Sequence, residues 1–137
     1  MPKLSRWMIR TALGYLIVGL GLALVRAGQQ AELLPGAPQT WWLPQLHLLT
    51  VGWLTQLIFG VAYWLFPKAT GPGRTWTPRA VWAAYGLLNV GLLLRVLFEP
   101  ASIGDSLRSA GLIASASVQW VAALLLTGAF WHRVRPK

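Results

Sequence analysis

QLHLLTVGWLTQLIFGVAYWLFPK, Gln45 to Lys68, decides the fold of this chain. At 1.5 Å per residue it is long enough to cross a hydrocarbon layer of about 30 Å, and no charge interrupts it before Lys68. His47 lies two residues inside its first end. An imidazole near the hydrocarbon edge is costly without a partner, which makes His47 the first candidate functional residue.

Three further apolar runs flank this one, so that helices are predicted over about 7–26, 45–66, 79–98 and 108–131. Each is close to the roughly 20 residues a spanning helix needs. The composition agrees: 55% of residues are hydrophobic and 11% charged, where a soluble domain carries about 25% charged residues. Short connections make sequential helices antiparallel neighbours. The predicted fold class is all-α, a single integral membrane four-helix bundle over residues 1–137 with no appended soluble domain.

The net charge of +9 is distributed by topology. Lys3, Arg6, Arg10, Lys68, Arg74, Arg79, Arg133, Arg135 and Lys137 fall on one face, and Arg26, Arg95 and Arg108 on the other with the three acids Glu32, Glu99 and Asp105. Basic short loops stay in the cytoplasm, so the chain reads N-in/C-in, multi-pass, in the inner (cytoplasmic) membrane. The basicity then implies contact with a lipid bilayer and not with nucleic acid. The first run exceeds a signal-peptide core and has no A-x-A site, which marks it as a retained helix. In the outer loop Pro35, Gly36 and Pro38 precede the pair Trp41-Trp42, an interfacial anchor; in the inner loop Thr77 is a plausible N-cap ahead of Pro78.

The chemistry on offer is narrow. Without cysteine there is no thiolate metal site and no covalently attached haem. No acid lies within the runs, and no phosphate-binding glycine loop is present. Two histidines are too few for an oxidase-type copper site. His132 follows the fourth run at the opposite membrane face, roughly 30 Å from His47, so the two cannot share a metal ion.

On a helical wheel of 100° per residue, Val51, Leu54, Ile58 and Leu65 share the side of His47, while Gly52, Gln56, Gly60 and Tyr63 lie opposite. The small face suits close packing inside the bundle. The aliphatic face with one imidazole at its rim suits a porphyrin or a second protomer. The plain alternative is an interfacial histidine bonded to a carbonyl or water. Arg26, Arg95 and Arg108 come to a similar depth and could hold the propionates of a haem; equally, Arg95 can pair with Glu99 at i+4 while the other two reach the headgroups. Gln56, Asn89 and Gln119, each about ten residues into its run, are expected to form a polar cluster at the midplane, as structural glue or as a quinone or proton site.

His47-Leu48-Leu49-Thr50-Val51-Gly52-Trp53, continuing through Gln56, Gly60 and Tyr63 to Pro67, resembles a helix of the haem-copper oxidase subunit I superfamily, especially its short cbb3-like and nitric-oxide-reductase-like relatives. Leu87 to Arg95 with Glu99-Pro100 resembles the helix that follows. The resemblance covers the second and third runs well, the fourth loosely and the first hardly at all. It implies that His47 is an axial ligand of haem b. Full-length members have many more helices and histidines, so this chain is not a complete oxidase or reductase by itself. The expectation is a membrane haem b protein for electron transfer or for binding O2 or NO, with His47 on the iron and Arg95, Arg26 and Arg108 at the propionates, working as a homodimer or larger homo-oligomer. The alternative is a cofactor-free membrane subunit or assembly partner of a respiratory complex.

Overall fold

In hydrocarbon no water is at hand for the backbone, so each apolar run satisfies its own N–H and C=O groups by winding into a helix. The computed structural model describes residues 1–66, 78–102 and 104–131. It contains helices α1 (Lys3–Gln30), α2 (Trp42–His47), α3 (Gln56–Leu65), α4 (Pro78–Phe98) and α5 (Asp105–Trp131). A π-helical segment, Leu48–Thr55, joins α2 to α3 without a break, giving four spans long and apolar enough to cross a membrane. No strand occurs among the described residues. The cations of the inner loop and C-terminal tail, Lys68, Arg74, Arg133, Arg135 and Lys137, lie outside the described residues, as do Thr77 and His132.

The spans exceed the predicted runs at several ends. α1 begins at Lys3 and continues to Gln30, and the second span is helical from Trp42, not Gln45. Helical hydrogen bonding thus runs past the apolar boundary, where polar side chains can reach water. α1 ends where Glu32 takes a left-handed conformation (φ 58°) and the Leu33 and Leu34 N–H groups return to the Gly28 carbonyl at 2.9 and 3.2 Å. Those bonds satisfy a carbonyl that the helix end leaves free.

The spans associate as two hairpins. α1 packs along α3 and the π segment, and α4 packs along α5. Close approach is set by small residues: a methyl group on Gly52 would lie 2.8 Å from both Tyr15 and Leu92, and one on Gly60 2.9 Å from Met8 Cβ. The hairpins meet around Leu4, Met8, Val81, Leu88, Leu126 and Phe130, all buried. Phe130 is the keystone, with ring contacts to Phe59 at 5.3 Å, Phe66 at 6.1 Å and Tyr63 at 6.4 Å.

The π segment alters the expected faces of the second span. Gly52, Gln56 and Gly60 are buried, and Leu54, Ile58 and Leu65 are exposed, as the wheel predicts. Val51 departs from it and packs on the core. An i→i+5 ladder turns fewer degrees per residue than an α-helix, which swings Val51 away from the outer side. Two threonines attend the wider turn: the Thr50 hydroxyl donates to the Leu46 carbonyl (2.7 Å) and the Thr55 hydroxyl to the Thr50 carbonyl five residues back (2.8 Å).

Candidate functional site

The site is assembled at one end of the bundle, where α2 meets the end of α4. His47 is the last residue of α2, directly before the π segment. Its Nδ1 lies 2.8 Å from the Leu43 carbonyl, one helical turn back, and 3.3 Å from Glu99 Oε2. Two acceptor oxygens around one ring nitrogen decide the tautomer: the proton sits on Nδ1 and is donated to the closer Leu43 carbonyl. Glu99 Oε2, 3.3 Å away, faces the ring without a hydrogen bond of its own. The lone pair of neutral His47 is therefore on Nε2, which has no hydrogen-bond partner among the described residues. The side chain is one-fifth exposed, so that nitrogen is not sealed into the core.

Glu99 organises this corner. Its side chain is 5% exposed; Oε1 accepts from Arg95 Nε at 2.9 Å, and its backbone N–H closes on the Arg95 carbonyl. Arg108, reaching over from α5, donates from Nη2 to the Glu99 carbonyl (2.9 Å) and from Nε to the Phe98 carbonyl (3.4 Å). Those carbonyls are left free by the end of α4, and a guanidinium fork suits them. Thus His47, Arg95 and Arg108 do come together, but around Glu99: His47 and Arg95 at its carboxylate and Arg108 at its backbone carbonyl. The i+4 pairing of Arg95 with Glu99 is the one of the two sequence readings that the structure shows; that Glu99 is buried beside His47 and beneath Arg108 had no signal in the spacing.

Arg26 goes elsewhere. It donates to Gln45 Oε1 at 2.7 Å and stacks 4.7 Å over the Trp42 ring. The three arginines do not converge on one vacant spot. Beside Glu99 a cleft of about 380 Å³ opens between the start of the second span and the connection from α4 to α5; Asp105 and Arg108 line it and His47 does not.

Deeper in the bundle, the structure joins two of the three amides. Asn89 Nδ2 donates to Gln56 Oε1 and to the Tyr85 carbonyl, each at 2.8 Å, and Tyr15 OH donates to Asn89 Oδ1 at 2.8 Å. Gln56 Nε2 donates to the Thr11 hydroxyl (2.5 Å), which also receives Tyr85 OH (3.4 Å). Gln119 makes its bond within α5, to the Ser115 hydroxyl at 3.2 Å, and its stem fills the space over Gly91. Counting residues gives depth and not azimuth, so it could not separate Gln119 from the other two. Every amide group of Gln56 and Asn89 has a partner, which makes this network a fastening between hairpins and leaves no amide group free for a quinone.

No three His, Cys, Asp or Glu side chains among the described residues gather as a metal site. No protein-family model, no curated protein and no solved structure matches the chain.

Proposed function

We propose that this is an inner-membrane haem b protein in which His47 Nε2 is an axial ligand, as its resemblance to short relatives of haem-copper oxidase subunit I implies. One observation carries the reading: Nδ1 is committed to the Leu43 carbonyl with Glu99 behind it, and Nε2 is left with its lone pair. Histidines that ligate metals characteristically donate their other ring N–H to a carbonyl or carboxylate, which fixes the tautomer and raises ligand basicity. A bound haem would supply one-electron transfer or O2 or NO binding. Arg95 and Arg108 already hold Glu99, so in this reading they tune the corner electrostatically and need not bind propionates. With one such imidazole per chain, a haem would be held by His47 of one copy or shared between the His47 residues of two copies.

Purified protein should show a Soret band that sharpens and shifts on dithionite reduction. His47→Ala should abolish it, whereas His132→Ala should not. A wild-type protein without haem after expression with haem supplementation would defeat this reading. The second reading, a cofactor-free subunit or assembly partner of a respiratory complex, draws on a specific observation: all three candidate propionate arginines have partners within the chain.

A further inference from the structure

The end of the bundle where α1 begins carries positive charge that no acid of the sequence answers. Leu4, Val81 and Phe130 pack in one cluster, so the start of α1, the start of α4 and the end of α5 lie together. The sequence has three acids, and each belongs to the other end: Glu32 follows α1, Glu99 follows α4 and Asp105 opens α5. About 30 Å of helix separates Arg10 from the end of α1. The side chains of Lys3, Arg6 and Arg10 are exposed, and none forms an ion pair among the described residues.

The three cations share one face of α1, and that face changes character further along. At 100° per residue they fall within about 60° of one another, and the exposed Leu13, Ile17 and Leu20 continue the same side within about 100°. Leu4, Met8 and Ala12, on the opposite side, are buried in the bundle. The result is an exposed column with a cationic head and an aliphatic stem, and the exposed Trp7 beside the cations marks the headgroup level. From Arg10 to Leu20 the helix rises about 15 Å, half of a hydrocarbon layer of about 30 Å, so one acyl chain can lie along the stem while its phosphate meets the guanidiniums. A soluble anion would use the cations and leave the stem idle. Arg79 stands exposed at the same end, but on α4 and off this column.

We infer that the face of α1 carrying Lys3, Arg6 and Arg10 binds an anionic phospholipid, its phosphate on the cations and an acyl chain along Leu13, Ile17 and Leu20. The inference is independent of whether His47 carries iron. The test is native mass spectrometry of the full chain in detergent with phosphatidylglycerol and phosphatidylethanolamine of identical acyl chains. Phosphatidylglycerol should be retained about tenfold better, because no ammonium on its own headgroup cancels the phosphate charge. Replacing both Arg6→Gln and Arg10→Gln should remove that preference without changing the melting temperature, since neither side chain is buried or paired. Arg10→Gln alone should lower phosphatidylglycerol retention about threefold, whereas Arg79→Gln, which removes the same charge from the same end, should leave it nearly unchanged. Glycerophosphoglycerol at equal concentration should not displace the lipid, because it has no acyl chain to lie on the stem. Equal retention of the two lipids by wild type, or an Arg79→Gln loss as large as that of Arg10→Gln, would overturn the inference and leave only a general attraction of this end for negative charge. Displacement by glycerophosphoglycerol would overturn it too, since the stem would then contribute nothing.

Discussion

At the scale of single residues, Glu99 decides what His47 and Arg95 are. A carboxylate at 5% exposure is tolerable because Arg95 donates to one oxygen and the end of α4 places both side chains one turn apart. Arg95 is one-quarter exposed, so part of its charge remains in reach of headgroups and water. Glu99→Leu should destabilise the protein in detergent by an amount near the lower end of the about 3–5 kcal/mol typical of a broken buried pair. Adding Arg95→Met to that variant should restore much of the loss, since no half-buried charge is then left alone. Denaturant unfolding of the two single variants and the double variant checks this; strictly additive losses would mean the pair is not coupled.

At the scale of elements, the second span owes its two sides to small residues and to the π segment. Gly52 lies within the π segment, wedged between Tyr15 of α1 and Leu92 of α4. The Tyr15 atoms that a methyl group would meet include Cβ, which cannot move without its backbone. Gly52→Ala should therefore push α1 off the second span and cost about 1–3 kcal/mol, the usual range for overpacking. Gly86→Ala is the control, because nothing lies within 4 Å of a methyl group there. A thermal shift of equal size in both variants would show that helix geometry, and not span packing, sets the effect.

At the scale of the whole molecule, the two hairpins are held together by the Phe130 cluster and by hydrogen bonds spanning α1, α3 and α4. Hydrocarbon offers no hydrophobic drive between spans, so packing and interhelical bonds carry the association. Asn89 links α4 to Tyr15 on α1 and to Gln56 on α3, and Asn89→Leu strands both of those partners at once. Interhelical bonds in lipid are worth about 0.6–2 kcal/mol each, so this variant should melt well below wild type. Gln119→Leu removes only a bond within α5 and should change the melting temperature much less. Comparable losses would mean that Gln119 shares the network after all.

The sequence by itself determined that four helices span the membrane, roughly where they end, and which side of the second span carries small residues. Those properties are local: the run length needed to cross hydrocarbon, the loss of backbone solvation and the 3.6-residue period are all written along the chain. It also assigned His47, Arg26, Arg95 and Arg108 to one depth, of which Arg26 bonds Gln45 and not the Glu99 corner. What only the tertiary structure decided is azimuth and pairing. Depth follows from counting residues, but whether Gln119 meets Asn89, or Arg26 meets Arg95, depends on how each helix is turned in the bundle, and the π segment rotates part of the second span in a way that no fixed 100° wheel contains. For the same reason Glu99, an exterior counter-charge in sequence, becomes the buried hub on which His47, Arg95 and Arg108 converge: the turn from α4 to α5 folds the end of α4 beneath Arg108.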